Sequence, residues 1–166
     1  MTKSEMTEQE QRVYVIHPRL GGFANDFTVE TEDGTMLFHV KSELLALSGR
    51  RYTVHDEAMR EVLKTKQDHT VLFPRHTVLE DGRPVAWLGQ QGVIPQNYFL
   101  ELTGMAPLRI LIPLYGSVFN LEGQAGVVAE IARRRSSWIV ATGADHQHTR
   151  MVALIAIVLR EYTIGG

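Results

Sequence analysis

The chain has no cysteine. That excludes disulfides, thiolate catalysis, cysteine-ligated iron–sulfur clusters and S-palmitoylation. It fits a reducing compartment, so a cytoplasmic location is expected. Charge of either sign is not in surplus: 17 Lys and Arg stand against 19 Asp and Glu, a net charge of −2 with seven His neutral. A dedicated nucleic-acid binder would carry a basic excess, so no nucleic-acid partner is expected. The first residues, "MTKSEMTEQEQR", have no apolar core. No signal peptide is read there, and residues 1–11 are expected to form a loose tail. No apolar run approaches the ~20 residues of a membrane-spanning helix, so the chain is expected not to be transmembrane.

The longest apolar run is Met151 to Leu159, nine residues between Arg150 and Arg160. It is too short to span a membrane, and it has no polar side, as an ordinary surface helix would. Its composition favours a helix over about 146–162, with Asp145 or Thr149 as N-cap. Such a helix must be surrounded by the rest of the domain, read as one unit over residues 12–166.

The preceding chain reads as strands. Phe27 and Val29, then Asp33-Gly34, then Met36, Phe38 and Val40 form a hairpin pattern. Thr77 to Leu79, Asp81-Gly82, then Val85 and Trp87 repeat it. Leu108, Ile110 and Ile112 alternate. Val118 and Leu121 lead to a turn at Gly123 to Gly126, followed by Val128, Ala129 and Ile131, and Trp138 to Ala141 make a last strand. "RRYTVHD" is a further short strand. Residues 56–66 read either as a helix, which local propensity favours, or as a turn followed by a strand. "NYFLELTGMAP" reads as an insertion or an atypical strand. Phe27, Phe38, Trp87, Phe119 and Trp138 are expected to pack on the central helix. No strand–helix–strand alternation occurs, so a doubly wound fold is not expected. A closed barrel around its own C-terminal helix would hide the apolar run and leave no sheet edge.

The succession "FTVETEDGTMLFHVK", "YTVHD", "VLEDGRPVAWLG" and "GVVAEIARRRSSWIVAT", with Asp145 and an apolar helix after it, resembles the LURP-one-related family. The resemblance runs from about Phe23 to Tyr162. That family belongs to the tubby C-terminal-like superfamily, which also holds the phospholipid scramblases. It implies a mainly β fold: a closed antiparallel barrel of about 12 strands around a buried hydrophobic C-terminal helix. It also implies a strand over residues 61–66. The family's Gly after the Asp of the "YTVHD" strand is missing here, where Glu57, Ala58 and Met59 follow Asp56. Tubby proteins resemble membrane-tethered phosphoinositide readers, and scramblases are associated with lipid movement.

Three sets of residues could carry chemistry. Arg133, Arg134 and Arg135 sit in an expected hairpin turn, where alternation puts charge on both sides of the tip. Lys64 and Lys66 would share one strand face, and Arg50 and Arg51 add further charge. These residues are the candidate binders of anionic phospholipid or phosphoinositide head groups, against the plainer reading of a solvated turn. The second set is "DHQH", Asp145 to His148. On a helix His146 and His148 point about 200° apart, poor geometry for zinc, so a cap is the simpler role and no metal site is assigned. The third set, His39, His55, His69 and His76 with Asp56 and Asp68, raises acid–base chemistry. Strand neighbours such as His55 and Asp56 face opposite ways. No nucleophile motif, P-loop or dinucleotide fingerprint occurs. The expectation is a non-enzymatic, cofactor-free binding module, peripheral at a membrane. A structural or protein-interaction module is the alternative, and an enzyme or metal protein using the histidines is the third.

Overall fold

The computed structural model describes residues 11–18, 26–45, 49–68, 73, 75–93, 96–113, 117–143 and 149–165. Twelve strands precede one helix: β1 (Arg12–Pro18), β2 (Phe27–Thr31), β3 (Met36–Leu45), β4 (Gly49–His55), β5 (Glu61–Asp68), β6 (Arg75–Glu80), β7 (Arg83–Val93), β8 (Gln96–Leu102), β9 (Leu108–Leu111), β10 (Val118–Gly123), β11 (Gly126–Arg134), β12 (Ser137–Thr142) and α1 (Thr149–Gly165). Each strand pairs antiparallel with its neighbours in sequence. β1 closes the ring by pairing with both β2 and β12.

The ring is filled by α1. Every residue from Met151 to Leu159 is at most 2% exposed. Around the helix stand the alternate residues of the strands, among them Val29, Val40, Val54, Leu63, Val78, Leu88, Leu121, Ile131 and Val140. The period of two along each strand thus meets a helix that is apolar on all sides. No described helix is long and apolar enough to cross a membrane.

Two details depart from the sequence reading. Trp87 does not pack on the helix. Ala86 and Leu88 are 1% and 0% exposed and face inward, so Trp87 lies on the outer wall, half-buried. The register of β6 and β7 shifts between Val78 and Leu79, and β7 leaves this irregularity with Ala86 opposite Val78. Of the two readings of "NYFLELTGMAP" the strand holds, and "NYFLEL" makes most of β8, a full member of the barrel. α1 ends later than expected. Residues 144–148, which include Asp145, His146 and His148, lie outside the described residues, as do His69 and residues 1–10.

The ambiguous stretch resolves as turn plus strand. Asp56 Oδ1 accepts the backbone N–H groups of Ala58 (3.0 Å) and Arg60 (2.9 Å). This Asx-type turn holds Met59 at φ 61°, a left-handed conformation that glycine would adopt more easily. The aspartate therefore does the work of the missing glycine, and β5 follows from Glu61.

Candidate functional site

The antiparallel ring gives the barrel two distinct ends. The β2–β3, β4–β5, β6–β7, β8–β9 and β10–β11 turns share one end with the start of α1. Arg150 of α1 pairs there with Glu80, the last residue of β6, at 2.6 Å. The opposite end holds the β11–β12 turn, the starts of β4, β6 and β8, and the end of α1.

Charge divides between these ends. Among the described residues, the first end carries Glu32, Asp33, Asp56, Glu57, Glu61, Glu80, Asp81, Glu101 and Glu122 against Arg12, Arg60, Arg83, Arg109 and Arg150. The second carries Arg50, Arg51, Lys66, Arg75, Arg133, Arg134, Arg135 and Arg160 against Glu43, Asp68 and Glu161. A chain near neutrality overall is thus polarised along its axis, and such an arrangement orients a molecule near a charged surface.

The triple arginine lies at the basic end. Arg134 pairs with Ser137, which leaves Arg135 and Ser136 as the turn residues, with Arg135 at φ 56°. Arg133, Arg134 and Arg135 are all exposed. Arg133 lies opposite Trp138 across the ladder, its guanidinium carbon 5.6 Å from the ring centroid. Trp138 in turn meets Phe119 edge-on at 5.5 Å. The cation–π contact holds the Arg133 guanidinium against Trp138 while leaving the turn in solvent.

Lys64 and Lys66 share the outer face of β5, because Leu63 and Thr65 point inward. They do not meet the triple arginine. β5 and β11 are six places apart in either direction around the twelve-strand ring, on opposite walls. The five residues named from sequence therefore form no single pocket. Lys64 belongs instead to an outer-wall group with Lys41, Arg51 and Glu43. Arg51 binds Glu43 at 2.6 Å, and this guanidinium, aided by Lys41 and Lys64, holds the Glu43 carboxyl below the ordinary carboxylate value.

The basic mouth also contains a polar cluster that local sequence does not announce. Tyr52 of β4 donates its hydroxyl to Glu161 Oε1 of α1 at 2.5 Å. His76 Nε2 of β6 lies 3.4 Å from the same oxygen, and the Tyr52 and His76 rings meet edge-on at 5.6 Å. His76 is 0% exposed. Burial, and then the Glu161 carboxylate, push the Tyr52 phenol well above its ordinary value. The phenol is therefore held protonated, the reverse of what a phenolate base needs. Burial opposes ionisation of Glu161, but His76, Tyr52 and Arg50 together hold its carboxyl below the ordinary value. The cluster ties the last turns of α1 to two strands. Tyr52 and Glu161 are 109 residues apart, so only the closed fold joins them.

The remaining histidines scatter. His39 and His55 are cross-strand partners on the outer wall, with ring centroids 6.3 Å apart. His39 Nε2 is 3.3 Å from Asp26 Oδ2, and both side chains are nearly buried. Asp56 is occupied by its turn rather than by His55. Among the described residues no group of three His, Asp or Glu side chains is placed to hold a metal ion.

A closed antiparallel twelve-strand barrel threaded by one C-terminal helix defines the class of fold. No protein-family model matches the chain, and no curated protein matches it by sequence. Among solved structures it is similar to the X-ray structure of an Arabidopsis thaliana protein, AT5G01750. The TM-score is 0.59 and the identity 14%, over 92% of each chain. At that identity the likeness speaks for the fold alone.

Proposed function

We propose that this protein is a LURP-one-related, tubby-like barrel that works as a non-enzymatic binding module, docking its basic end peripherally on anionic phospholipid head groups. The observation that carries the reading is the division of charge between the barrel ends, with exposed Arg133, Arg134 and Arg135 at the tip of the basic one. The family assignment is supported by the sequence resemblance and by the likeness in fold to the Arabidopsis protein. The basic residues are spread around a rim instead of lining one cavity, which suits a charged surface better than a single small anion. A cytoplasmic leaflet supplies such a surface, and each basic side chain near it contributes about 1 kcal/mol. Lys64 and Lys66, on the opposite wall from the triple arginine, would add to the field without sharing a head group with it.

The test is vesicle co-sedimentation with neutral, phosphatidylserine-containing and phosphoinositide-containing liposomes at low and high salt. Binding is expected only to the anionic vesicles and is expected to weaken in salt. Replacing Arg133, Arg134 and Arg135 together by Ala should reduce it by up to roughly 100-fold, three contributions of about 1 kcal/mol each. Equal binding to neutral vesicles, or none to any, would refute the proposal.

A further inference from the structure

The least paired seam of the ring lies between β9 and β10. Their ladder holds only Leu121↔Ile110 and Glu122↔Arg109, fewer pairs than even the irregular β4–β5 seam. Past Ile110 the chain stays with β8, and the Ile112 N–H donates to Gln96 O at 3.0 Å. In the same stretch β10 stays with β11. Val118 stands opposite Ala132, and the Arg133 N–H donates to Ser117 O at 2.8 Å. The two strands thus part toward the basic end, and a cleft of about 290 Å³ opens between them. Leu111, Ile112, Pro113, Val118 and Phe119 give it apolar walls. Ile112 and Phe119 are buried at its base, whereas Pro113 and Val118 are exposed, Val118 by 49%.

Charge is graded along this cleft. Glu122 lines it on the side nearer the acidic end, across the ladder from Arg109, and Glu130 stands opposite Asn120. Toward the rim the sign reverses. Alternation puts Arg134 on the face of Ala132, just beyond Val118. Arg133 shares the inner face of Ile131 and lies against Trp138, which packs on Phe119 at the base of the cleft. Among the described residues no carboxylate forms an ion pair with Arg133, Arg134 or Arg135. The cleft therefore suits an occupant that is apolar along its length and anionic at the rim.

We infer that the cleft takes one acyl chain of an anionic phospholipid whose phosphate meets Arg133 and Arg134. The inference rests on the membrane-docking reading and adds to it a site for a single lipid. Two observations favour this occupant. The cleft is continuous with the basic end, and arginines free of carboxylate partners complement a phosphate at its rim. The chain's own acidic N-terminal segment joins the barrel at the opposite end, at Arg12. The volume is just below the roughly 300–1,000 Å³ of small-molecule pockets, room for part of one chain but not for a whole lipid.

Lipids that stay monomeric separate this site from docking on a charged surface. NMR shifts of the full chain would be followed on adding dihexanoylphosphatidylserine below its micellar concentration, and on adding its deacylated head group, glycerophosphoserine. The phospholipid is expected to shift the signals of Leu111, Val118, Phe119 and Asn120. Glycerophosphoserine should bind at least about tenfold more weakly, the worth of two buried methylenes. Val118→Asp puts a like charge beside the phosphate, and Asn120→Trp fills the cleft without changing its charge. Each should abolish the phospholipid shifts, with melting curves like the wild type's showing that both variants fold. Replacing Arg133 and Arg134 together by Ala should weaken the phospholipid, and an unchanged affinity would overturn the phosphate contact. Wild-type binding to anionic vesicles with no phospholipid shift at the cleft would overturn the inference and leave charge-driven docking standing, whereas no binding to vesicles or monomers would sink both. Equal affinity for phospholipid and head group would overturn it, since the chain would then contribute nothing. Shifts at the same residues on raising protein concentration alone would mean that a second copy holds the cleft, and would overturn it as well.

Discussion

Leu154 and Leu44 are the same side chain in opposite settings, and replacing each by alanine should separate them sharply. Leu154 is 2% exposed, inside the barrel beside Leu63 and Val78. Leu→Ala in a core costs about 2–5 kcal/mol, the transfer term plus the cavity term. In a chain of this size each kcal/mol moves the melting temperature by roughly 2–4 °C, so a drop of roughly 4–20 °C is expected. Leu44→Ala removes a side chain that is already 78% exposed and should change stability by at most about 0.5 kcal/mol. Leu154→Asp goes further. It leaves an unpaired carboxylate where no solvent compensates it, and the variant should show no cooperative transition. Urea denaturation followed by tryptophan fluorescence reads all three, because Trp138 packs against Phe119 in the core. A Leu154→Ala protein melting within a degree of wild type, or a stable Leu154→Asp protein, would refute the helix-filled barrel.

Two further predictions concern the basic mouth. The Glu161 carboxyl is held below its ordinary value of 4.5 in the fold, so its stabilisation is present above that pH and is lost as pH falls through the folded value. Glu161→Gln should therefore lower the melting temperature at neutral pH, by about 1–3 kcal/mol of stability for a partly buried charged hydrogen bond. The deficit should fade as pH falls below 4.5 and on through the lowered folded value, and a deficit that is constant with pH would contradict the role given to the carboxylate. Gly49 has φ +75°, and a Cβ there would collide with Gln67 Oε1. That oxygen accepts the Arg50 N–H at 2.7 Å. Gly49→Ala should thus cost about 1–3 kcal/mol by breaking this bond and straining the turn, read as a shifted urea midpoint.

How far the sequence announced this molecule depended on whether a feature was local. The run from Met151 to Leu159 and the turns at Asp33-Gly34 and Asp81-Gly82 are local, and they read correctly as a buried helix and two hairpins. β1 escaped because Val13, Tyr14, Val15 and Ile16 are apolar without alternation, although only Tyr14 and Ile16 face inward. β5 could not be told from a helix by propensity, since what settles it is an Asp56 side chain reaching two backbone N–H groups. Trp87 was placed on the wrong face because an irregular β6–β7 ladder changes the parity that alternation assumes.

The candidate site was less legible. The triple arginine was visible, but its separation from Lys64 and Lys66 depends on ring closure, which no local pattern encodes. Tyr52, His76 and Glu161 come from three distant segments and carry no spacing signal. The charge division was hidden by a net charge of −2. Its one available trace was the recurrence of acids in alternate connections: Glu32-Asp33, Asp56-Glu57 and Glu80-Asp81. In an antiparallel ring alternate turns share an end, so that recurrence carries meaning once closure is assumed.

The central claim is that the basic end faces an anionic membrane, and the absence of native cysteine allows it to be tested directly. Ser136→Cys places a label at the tip of the β11–β12 turn, and Glu57→Cys places one in the exposed β4–β5 turn at the acidic end. Each single-cysteine protein would carry an environment-sensitive fluorophore and be mixed with phosphatidylserine-containing vesicles. The account predicts a blue shift and brightening at position 136 and none at position 57. A response at position 57 alone, or equal responses at both, would contradict it.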